Sequence, residues 1–257
     1  MAPVRSLSSR RRALVIGVAA AVVASIAVVA MFRFLGDPER GGIPVIVVPG
    51  YGGDARSVAT LVEALRARDL RVEALDLPDD GTGDIARSAQ AVEEAVVGLD
   101  ANRIDLVGYS AGAIVVRQYL SALGGSERAR RVVLLGAPNH GAEAAELAAS
   151  FDPSACVGAC AQLGPGSSFL AQLNSRDETP GEALYVSIWT SRDQTVTPPD
   201  SALLEGAINV RVQDICPDAN TSHGDLVTDP FVLGIVVDAL RGNLDRPPTV
   251  GECAPAS

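Results

Sequence analysis

A lone serine between two glycines is the first candidate for chemistry in this sequence. Ser110 lies in the stretch Gly108-Tyr109-Ser110-Ala111-Gly112, which has the form G-x-S-x-G. An apolar run, 104–107, precedes it, and a pattern with helical spacing follows it. Between a strand and a helix, this pattern presents a serine hydroxyl on a strained turn, and the glycines remove a Cβ clash between the two elements. We therefore predict that Ser110 is a nucleophile; the alternative is a serine that caps a helix in a glycine-rich turn.

A nucleophilic serine needs a base to take its proton, and the sequence contains two histidines, His140 and His223. Where this serine turn occurs in a strand–helix fold, the order along the chain is serine, acid, histidine, so His223 is the predicted base. The predicted acid, which orients the imidazole, is Asp193, because it follows the apolar run 184–189. The competing carboxylates are Asp200 and Asp214.

Acyl transfer also needs two amide donors for the oxyanion of the tetrahedral intermediate. The first is predicted to be the backbone N–H of Ala111, the residue after the nucleophile. The second is expected from the loop 49–53, at Tyr51, and Gly50 and Gly52 are predicted to lie beside the substrate. A phosphate-binding loop is the alternative for this glycine-rich stretch, but that loop requires a lysine, which the sequence lacks.

The elements that must position these residues alternate along the chain. Short β-branched runs predict strands, and apolar residues every three or four positions predict helices. Their alternation indicates an α/β fold with a mostly parallel sheet of about six strands and helices on both faces. Reactive groups in such a sheet collect at the carboxyl ends of the strands. The predicted strands are 45–48, 72–77, 104–107, 132–135, 184–189 and 208–212, and the predicted helices are 57–68, 85–99, 111–123 and 226–240.

The N-terminal segment has its own pattern. Residues 13–32 are uncharged and rich in Ala, Val and Ile, and Arg5 and Arg10 to Arg12 precede them. About twenty such residues suffice to cross a bilayer, and the arginines predict that the N-terminal side stays in the cytoplasm. Residues 1–35 are therefore predicted to be an uncleaved signal anchor or a cleaved signal peptide, with a buried core helix as the remaining alternative. The rest of the protein is expected outside the cytoplasm, secreted or anchored to the outer face of the cell membrane.

Four cysteines, Cys156, Cys160, Cys216 and Cys253, agree with export, because an even number in an exported chain suggests disulfides. Three pairings are possible, and the nearest-neighbour choice joins Cys156 to Cys160 and Cys216 to Cys253. A zinc site is the alternative, but there is no CxxC pair and neither histidine stands at finger spacing. We expect no metal and no cofactor.

The length and the charge of the chain limit how many domains it can form and which partners it can bind. With 257 residues the chain can bury one sizeable core, so we expect a single domain at 43–245. A linker at 36–42 is expected before it and a tail at 246–257 after it, and the irregular segment 139–182 is the predicted cap or lid. The formal net charge of -10 argues against a nucleic-acid partner. A monomer is expected.

Taken together, the motifs resemble those of extracellular bacterial lipases of the α/β-hydrolase superfamily, close to the small class 2 lipases. The resemblance runs from about Ile43 to Leu240 and rests on VVPGYGG, GYSAG, LLGAPNHG, SRDQTV and SHGDLV, in that order. It implies hydrolysis of carboxylic esters of lipids or small molecules, with His140 at the pocket edge or in a structural role. Similar lipases often carry His where this chain has Pro49, a departure that affects the geometry of the loop but does not remove its main-chain donor.

Within the predicted cap, Leu163, Phe169 and Leu170 are predicted to line an acyl pocket, and a simple covering of the core is the alternative. Other functions stay open: a cutinase-like polyesterase, a thioesterase, a cell-envelope acyltransferase, or a non-catalytic binding protein on the same fold. The complete set Ser110, Asp193 and His223 argues against the last of these, because such proteins usually lose a triad member.

Overall fold

A six-stranded parallel sheet forms the centre of the molecule in the computed structural model, which describes residues 42–99, 101–145, 156–248 and 253. The strand order is β2-β1-β3-β4-β5-β6, and every pairing is parallel. The apolar strand sequences explain this arrangement, since a parallel sheet is buried on both faces. The strands are β1 (Pro44–Val48), β2 (Arg71–Ala74), β3 (Ile104–Tyr109), β4 (Ala129–Leu135), β5 (Leu184–Trp189) and β6 (Ile208–Arg211).

Helices pack on both faces of the sheet. Along β1, Ile46 and Val48 belong to one core cluster and Val45 and Val47 to the other, because successive side chains of a strand point to opposite faces. The first cluster includes residues of the helices at 85–98 and 111–122, and the second includes residues of the helices at 59–66 and 230–241. These observations confirm the predicted α/β fold. The helices are α1 (Ala59–Arg66), α2 (Ile85–Gly98), α3 (Ala111–Ala122), α4 (Ala159–Gln162), α5 (Ser168–Asn174), α6 (Val212–Ile215) and α7 (Pro230–Arg241), with 3-10 turns at Ala55–Val58, Pro78–Gly81, Gly125–Glu127, Pro199–Ala202 and Gly224–Val227.

Several element boundaries differ from the sequence prediction. The second strand ends at Ala74 rather than at 77, and the segment 139–182 contains α4 and α5 where the sequence predicted irregular structure. The last helix begins at Pro230 rather than at 226. Its start is fixed by Asp229, whose side chain accepts a hydrogen bond from the amide of Phe231 at 2.9 Å, and by Pro230, which favours the first position of a helix.

Two disulfides, Cys156–Cys160 and Cys216–Cys253, follow the nearest-neighbour pairing. The first closes a loop that docks on the segment before α2. There the amide of Ala159 donates to the carbonyl of Thr82 at 3.1 Å, and the side-chain amide of Gln162 donates to Asp84 at 2.9 Å. Disulfides are typical of proteins that fold in an oxidising compartment, which agrees with the expected export.

The N-terminal prediction concerns residues outside the described part of the chain. Residues 1–35, and with them the apolar run 13–32, are not described. Among the residues that are described, no helix combines the length and the apolarity needed to cross a membrane.

Candidate active site

The turn between β3 and α3 holds Ser110 in a strained conformation. Its backbone has φ 53° and ψ -126°, a region that residues with a side chain rarely occupy. The neighbouring glycines make this turn possible. A Cβ on Gly108 would lie 2.5 Å from the Cα of Ala113, and a Cβ on Gly112 would overlap the carbonyl oxygens of Val48 and Pro49. The structure therefore has the strained strand-to-helix turn that the G-x-S-x-G pattern predicts.

The structure brings Ser110, His223 and Asp193 together in one hydrogen-bonded chain. The Oγ of Ser110 lies 3.0 Å from Nε2 of His223, and Nδ1 of the same ring lies 2.6 Å from a carboxylate oxygen of Asp193. The other oxygen of Asp193 accepts hydrogen bonds from the amides of Thr195 and Val196, each at 2.8 Å. A carboxylate at Nδ1 keeps the proton on that nitrogen, so Nε2 is free to accept the serine proton.

Each of the three side chains comes from a loop at the carboxyl end of the sheet. Ser110 follows β3, Asp193 follows β5, and His223 follows β6 and α6. A hydrogen bond of 2.7 Å from the hydroxyl of Thr190 to the carbonyl of Thr221 joins the acid loop to the histidine loop. Because parallel strands end at the same edge of the sheet, three residues that are far apart in the sequence meet in one site.

Tyr109 holds the histidine loop from the other side. Its ring centroid lies 5.2 Å from that of His223, and its hydroxyl donates to the carbonyl of His223 at 3.3 Å. Burial, with the nearby negative charges of Asp193 and Asp225, raises the pKa of Tyr109 to about 12. The phenol is therefore neutral near pH 7 and remains a donor.

The loop 49–53 passes directly beside the nucleophile. β1 lies next to β3 with Val48 paired to Gly108, and a Cβ on Gly50 would lie 3.1 Å from the Cβ of Ser110. Because α3 begins at Ala111, its first amides have no carbonyl acceptor within the helix. Gly52 has φ +70° with open space around its Cα, and Tyr51 is half exposed. This placement agrees with Tyr51 and Ala111 as the oxyanion donors, which remain predictions.

The competing candidates lie elsewhere. His140 places its Nε2 3.3 Å from Glu178, in the loop after β4. Asp200 belongs to an exposed position in the 3-10 turn that follows the acid loop, and Asp214 pairs with Arg211. The geometry therefore favours His223 over His140 and Asp193 over both other carboxylates.

The apolar cap residues are core residues in this structure. Leu163 and Leu170 are buried in the cluster that contains α2 and α3, and Phe169 packs against that cluster. Phe169 also lines a surface groove with Gln118 and Arg176. The packing gives these three residues the role of covering the core, and it lends no support to their predicted contact with substrate.

A buried polar network behind the site was not anticipated from the sequence. Arg117 of α3 is buried and donates to side-chain oxygens of Asn139, at 3.3 Å, and Asn174, at 2.9 Å. Burial lowers the pKa of Arg117 to about 10, although Glu178, 3.8 Å away, favours the charged form. The network joins α3, the helix that follows Ser110, to Asn139 and Asn174 in the predicted cap segment 139–182. A lone arginine in the apolar stretch AGAIVVRQYL was the sequence signal for it.

Within the described ranges, no cluster of three or more His, Cys, Asp or Glu side chains could hold a metal ion.

Comparisons with known proteins agree with the fold. A profile of the alpha/beta hydrolase family matches residues 45–249. The structure of lipase B from Aspergillus fumigatus superposes with a TM-score of 0.69 at 20% identity, over 84% of this chain and 60% of that one. A Bacillus licheniformis lipase in its mature form gives 0.60 at 18% identity, over 80% of this chain and 94% of that one. An esterase from a Rhodococcus species gives 0.52 at 20% identity, over 79% and 90% of the two chains.

At these identities the structural likeness shows the fold alone, and this chain spans less than two thirds of the Aspergillus lipase. A comparison with curated protein sequences finds no significant match.

Proposed function

The chain belongs to the alpha/beta hydrolase family, and we propose that it is a serine hydrolase that cleaves carboxylic esters through an acyl-serine intermediate. The observation that carries this proposal is the hydrogen-bonded chain from Ser110 through His223 to Asp193 at a strained strand-to-helix turn. A serine in an inactive turn has no need of an imidazole within hydrogen-bonding distance or of a carboxylate behind that imidazole.

The proposed reaction has two halves. Nε2 of His223 takes the proton of Ser110 as Oγ attacks the ester carbonyl, and the amides of Tyr51 and Ala111 stabilise the oxyanion. The tetrahedral intermediate collapses, the imidazolium gives its proton to the leaving alcohol, and the acyl group stays on Ser110. Water, deprotonated by His223, then attacks the acyl-serine and releases the carboxylic acid, which restores the free serine.

Lipid esters, in particular acylglycerols, are the substrate class that we propose first. The resemblance of the motifs to bacterial lipases supports it, and two of the structures compared are described as lipases. The two disulfides support a location outside the cytoplasm, where such substrates are met. A panel of acylglycerols, polyester film and acyl thioesters separates a lipase from a polyesterase or a thioesterase, and product analysis with an added alcohol reveals acyl transfer.

The mechanism is tested by labelling the full chain with a fluorophosphonate, mapping the modified peptide by mass spectrometry and measuring hydrolysis of p-nitrophenyl esters. We expect the label on Ser110, and we expect Ser110→Ala to lose hydrolysis by a factor on the order of 10³ or more while it keeps the fold. His223→Ala should also abolish labelling. Ser121→Ala, on the same helix, is the matched control and should remain active. Hydrolysis at the wild-type rate by folded Ser110→Ala would overturn Ser110 as the nucleophile. No label on the folded wild type would favour the non-catalytic binding protein.

A further inference from the structure

The end of β4 lies between the strands that carry the serine and the acid. In the sequence the apolar run of this strand stops at Leu135, and Gly136 follows it within LLGAPNHG. β4 has β3, which leads to Ser110, on one side and β5, which leads to Asp193, on the other. Because parallel strands end at the same edge of the sheet, the residues just after β4 are placed beside both loops.

One peptide group at this point is bonded to both neighbouring strands. The amide of Ser110 donates to the carbonyl of Leu135 at 2.7 Å, and the amide of Gly136 donates to the carbonyl of Ile188, in β5, at 2.9 Å. This carbonyl and this amide belong to the same planar peptide unit. The backbone of the proposed nucleophile and the strand before the acid loop are therefore held against one rigid group.

The Cα of Gly136 lies against the imidazole of His223. Gly136 is buried, with φ +55°. A Cβ built on it would lie 2.9 Å from Cε1 and 3.0 Å from Nδ1 of His223, and 2.8 Å from Cδ1 of Leu226. Non-bonded carbon atoms pack best at about 3.5 to 4.0 Å. Any side chain at this position would therefore require one of the two neighbours to move.

The two neighbours differ in their freedom to move. The Cδ1 of Leu226 is the end of a flexible side chain, which can shift by rotation about its own bonds. The imidazole of His223 is held at both nitrogens, with Nε2 3.0 Å from Oγ of Ser110 and Nδ1 2.6 Å from Asp193. A displacement of the ring away from Gly136 would lengthen at least one of these two contacts.

The positive φ of Gly136 is a second reason for glycine at this position. Among residues with a side chain, asparagine adopts this region of backbone conformation more readily than alanine does. If the backbone alone required glycine, asparagine would be the better replacement. If the space beside His223 is what matters, asparagine has no advantage, because its Cβ meets the same atoms.

We propose that Gly136 is a positioning residue for His223. The absence of a side chain there lets the imidazole face Asp193 and Ser110 at once, and the Leu135–Gly136 peptide group fixes the serine and the acid strand beside that ring. The kinetic part of this inference rests on the proposed ester hydrolysis, whereas the contact between Gly136 and the ring does not.

Steady-state ester hydrolysis by the full chain tests the kinetic part. Gly136→Ala should lower kcat about 10²-fold with little change in KM, because the base is misplaced relative to the hydroxyl that it deprotonates. Gly136→Asn should be no more active than Gly136→Ala. The matched control is Gly124→Ala, since Gly124 also has a positive φ, +74°, but open space around it, and it should stay near the wild-type rate. Wild-type kcat in Gly136→Ala, or higher activity in the asparagine variant, would overturn the proposal.

NMR of the full chain labelled with ¹⁵N-histidine provides a readout of the ring itself. The sequence has two histidines, and His140→Gln identifies the signals that belong to His223. In the wild type we expect the proton on Nδ1 far downfield, because of its short hydrogen bond to Asp193. It should shift or disappear in Gly136→Ala and stay in place in Gly124→Ala. A loss of kcat with an unchanged signal would mean that Gly136 acts only on the stability of the fold.

A double-mutant cycle in urea denaturation tests the contact without any turnover. His223→Ala removes the ring, so Gly136→Ala should lower the urea midpoint less in that background than in the wild type. If Gly136→Ala alone fails to fold, Gly136→Ala/His223→Ala should fold. Equal effects in both backgrounds, or a double variant that also fails to fold, would contradict the contact. A folded wild type that cleaves no ester would instead overturn the proposed function.

Discussion

At the scale of single residues, the two oxygens of Asp193 have separate partners. One faces Nδ1 of His223 and the other accepts from the amides of Thr195 and Val196. In Asp193→Asn the side-chain oxygen should keep the two backbone amides, which turns the NH2 group toward Nδ1. The imidazole must then carry its proton on Nε2, where it cannot accept the proton of Ser110.

We therefore expect Asp193→Asn to lower kcat by about 10³ to 10⁴ with little change in KM, measured as steady-state ester hydrolysis. Asp200→Asn and Asp214→Asn are the matched controls and should stay near the wild-type rate. A variant at Asp193 that retains wild-type kcat would show that another carboxylate orients the histidine.

A second residue-scale prediction concerns His140 and Glu178, whose side chains lie 3.3 Å apart. The hydrogen bond with Glu178 raises the pKa of His140 above its ordinary value of 6.5, although partial burial acts in the opposite direction. Burial alone would raise the pKa of Glu178, but the hydrogen bonds from His140 and the amide of Glu205, with the charge of Arg117, hold it below 4.5.

The sign of the linkage follows from these directions. A raised histidine pKa stabilises the fold below pH 6.5 and ceases to do so as the pH rises through the folded-state value. A lowered glutamate pKa stabilises it above pH 4.5 and ceases to do so as the pH falls through the folded-state value. The difference in free energy of unfolding between wild type and His140→Gln should therefore be larger at about pH 5.5 than at about pH 9. Urea denaturation measures it, and equal differences at both pH values would contradict the pairing.

At the scale of elements, the close approach of β1, β3 and α3 leaves no space for a side chain at Gly112. A Cβ there would overlap the carbonyls of Val48 and Pro49. We expect Gly112→Ala to lose about 3 kcal/mol or more of unfolding free energy, or to displace the serine turn with loss of activity. Gly98→Ala is the control: its Cβ would meet nothing within 4 Å, at the end of α2. Alanine there should be neutral or stabilise the protein by up to about 1 kcal/mol, as measured by denaturant titration.

The polar network around Arg117 also acts at the scale of elements. It joins α3 to the loop after β4 through Asn139 and to α5 through Asn174. Asn139 in turn donates to the carbonyl of Ala202, at 2.9 Å, in the turn beyond the acid loop. The elements that carry the serine and the acid are therefore connected by buried hydrogen bonds as well as by strand pairing.

At the scale of the whole molecule, the two disulfides differ in the length of chain that they close. Cys216–Cys253 joins residues 37 positions apart, and Cys156–Cys160 joins residues 4 apart. Since a longer loop loses more unfolded-state entropy when closed, removal of the first should cost about 4 kcal/mol and removal of the second about 2 kcal/mol. Urea titration of Cys216→Ser/Cys253→Ser and Cys156→Ser/Cys160→Ser gives both values. The reverse order would mean that the short loop stabilises the protein chiefly through its docking near α2.

Much of the fold and of the candidate site could be predicted from the sequence, because their signals are local. Apolar runs alternating with helical spacing predicted the six parallel strands and the helices on both faces. The G-x-S-x-G stretch predicted the strained turn at Ser110, since only glycine fits where strand and helix pass so closely. The order of serine, acid and histidine along the chain then pointed to Asp193 and His223.

Other features depended on residues far apart in the chain, and only the tertiary structure decided them. Leu163 and Leu170 are apolar whether they face a substrate or the core, and packing against α2 and α3 placed them in the core. The partners of Arg117 lie 22 and 57 positions away. Sequence periodicity assigns a residue to a face of its own element, whereas the alignment of elements determines which residues meet.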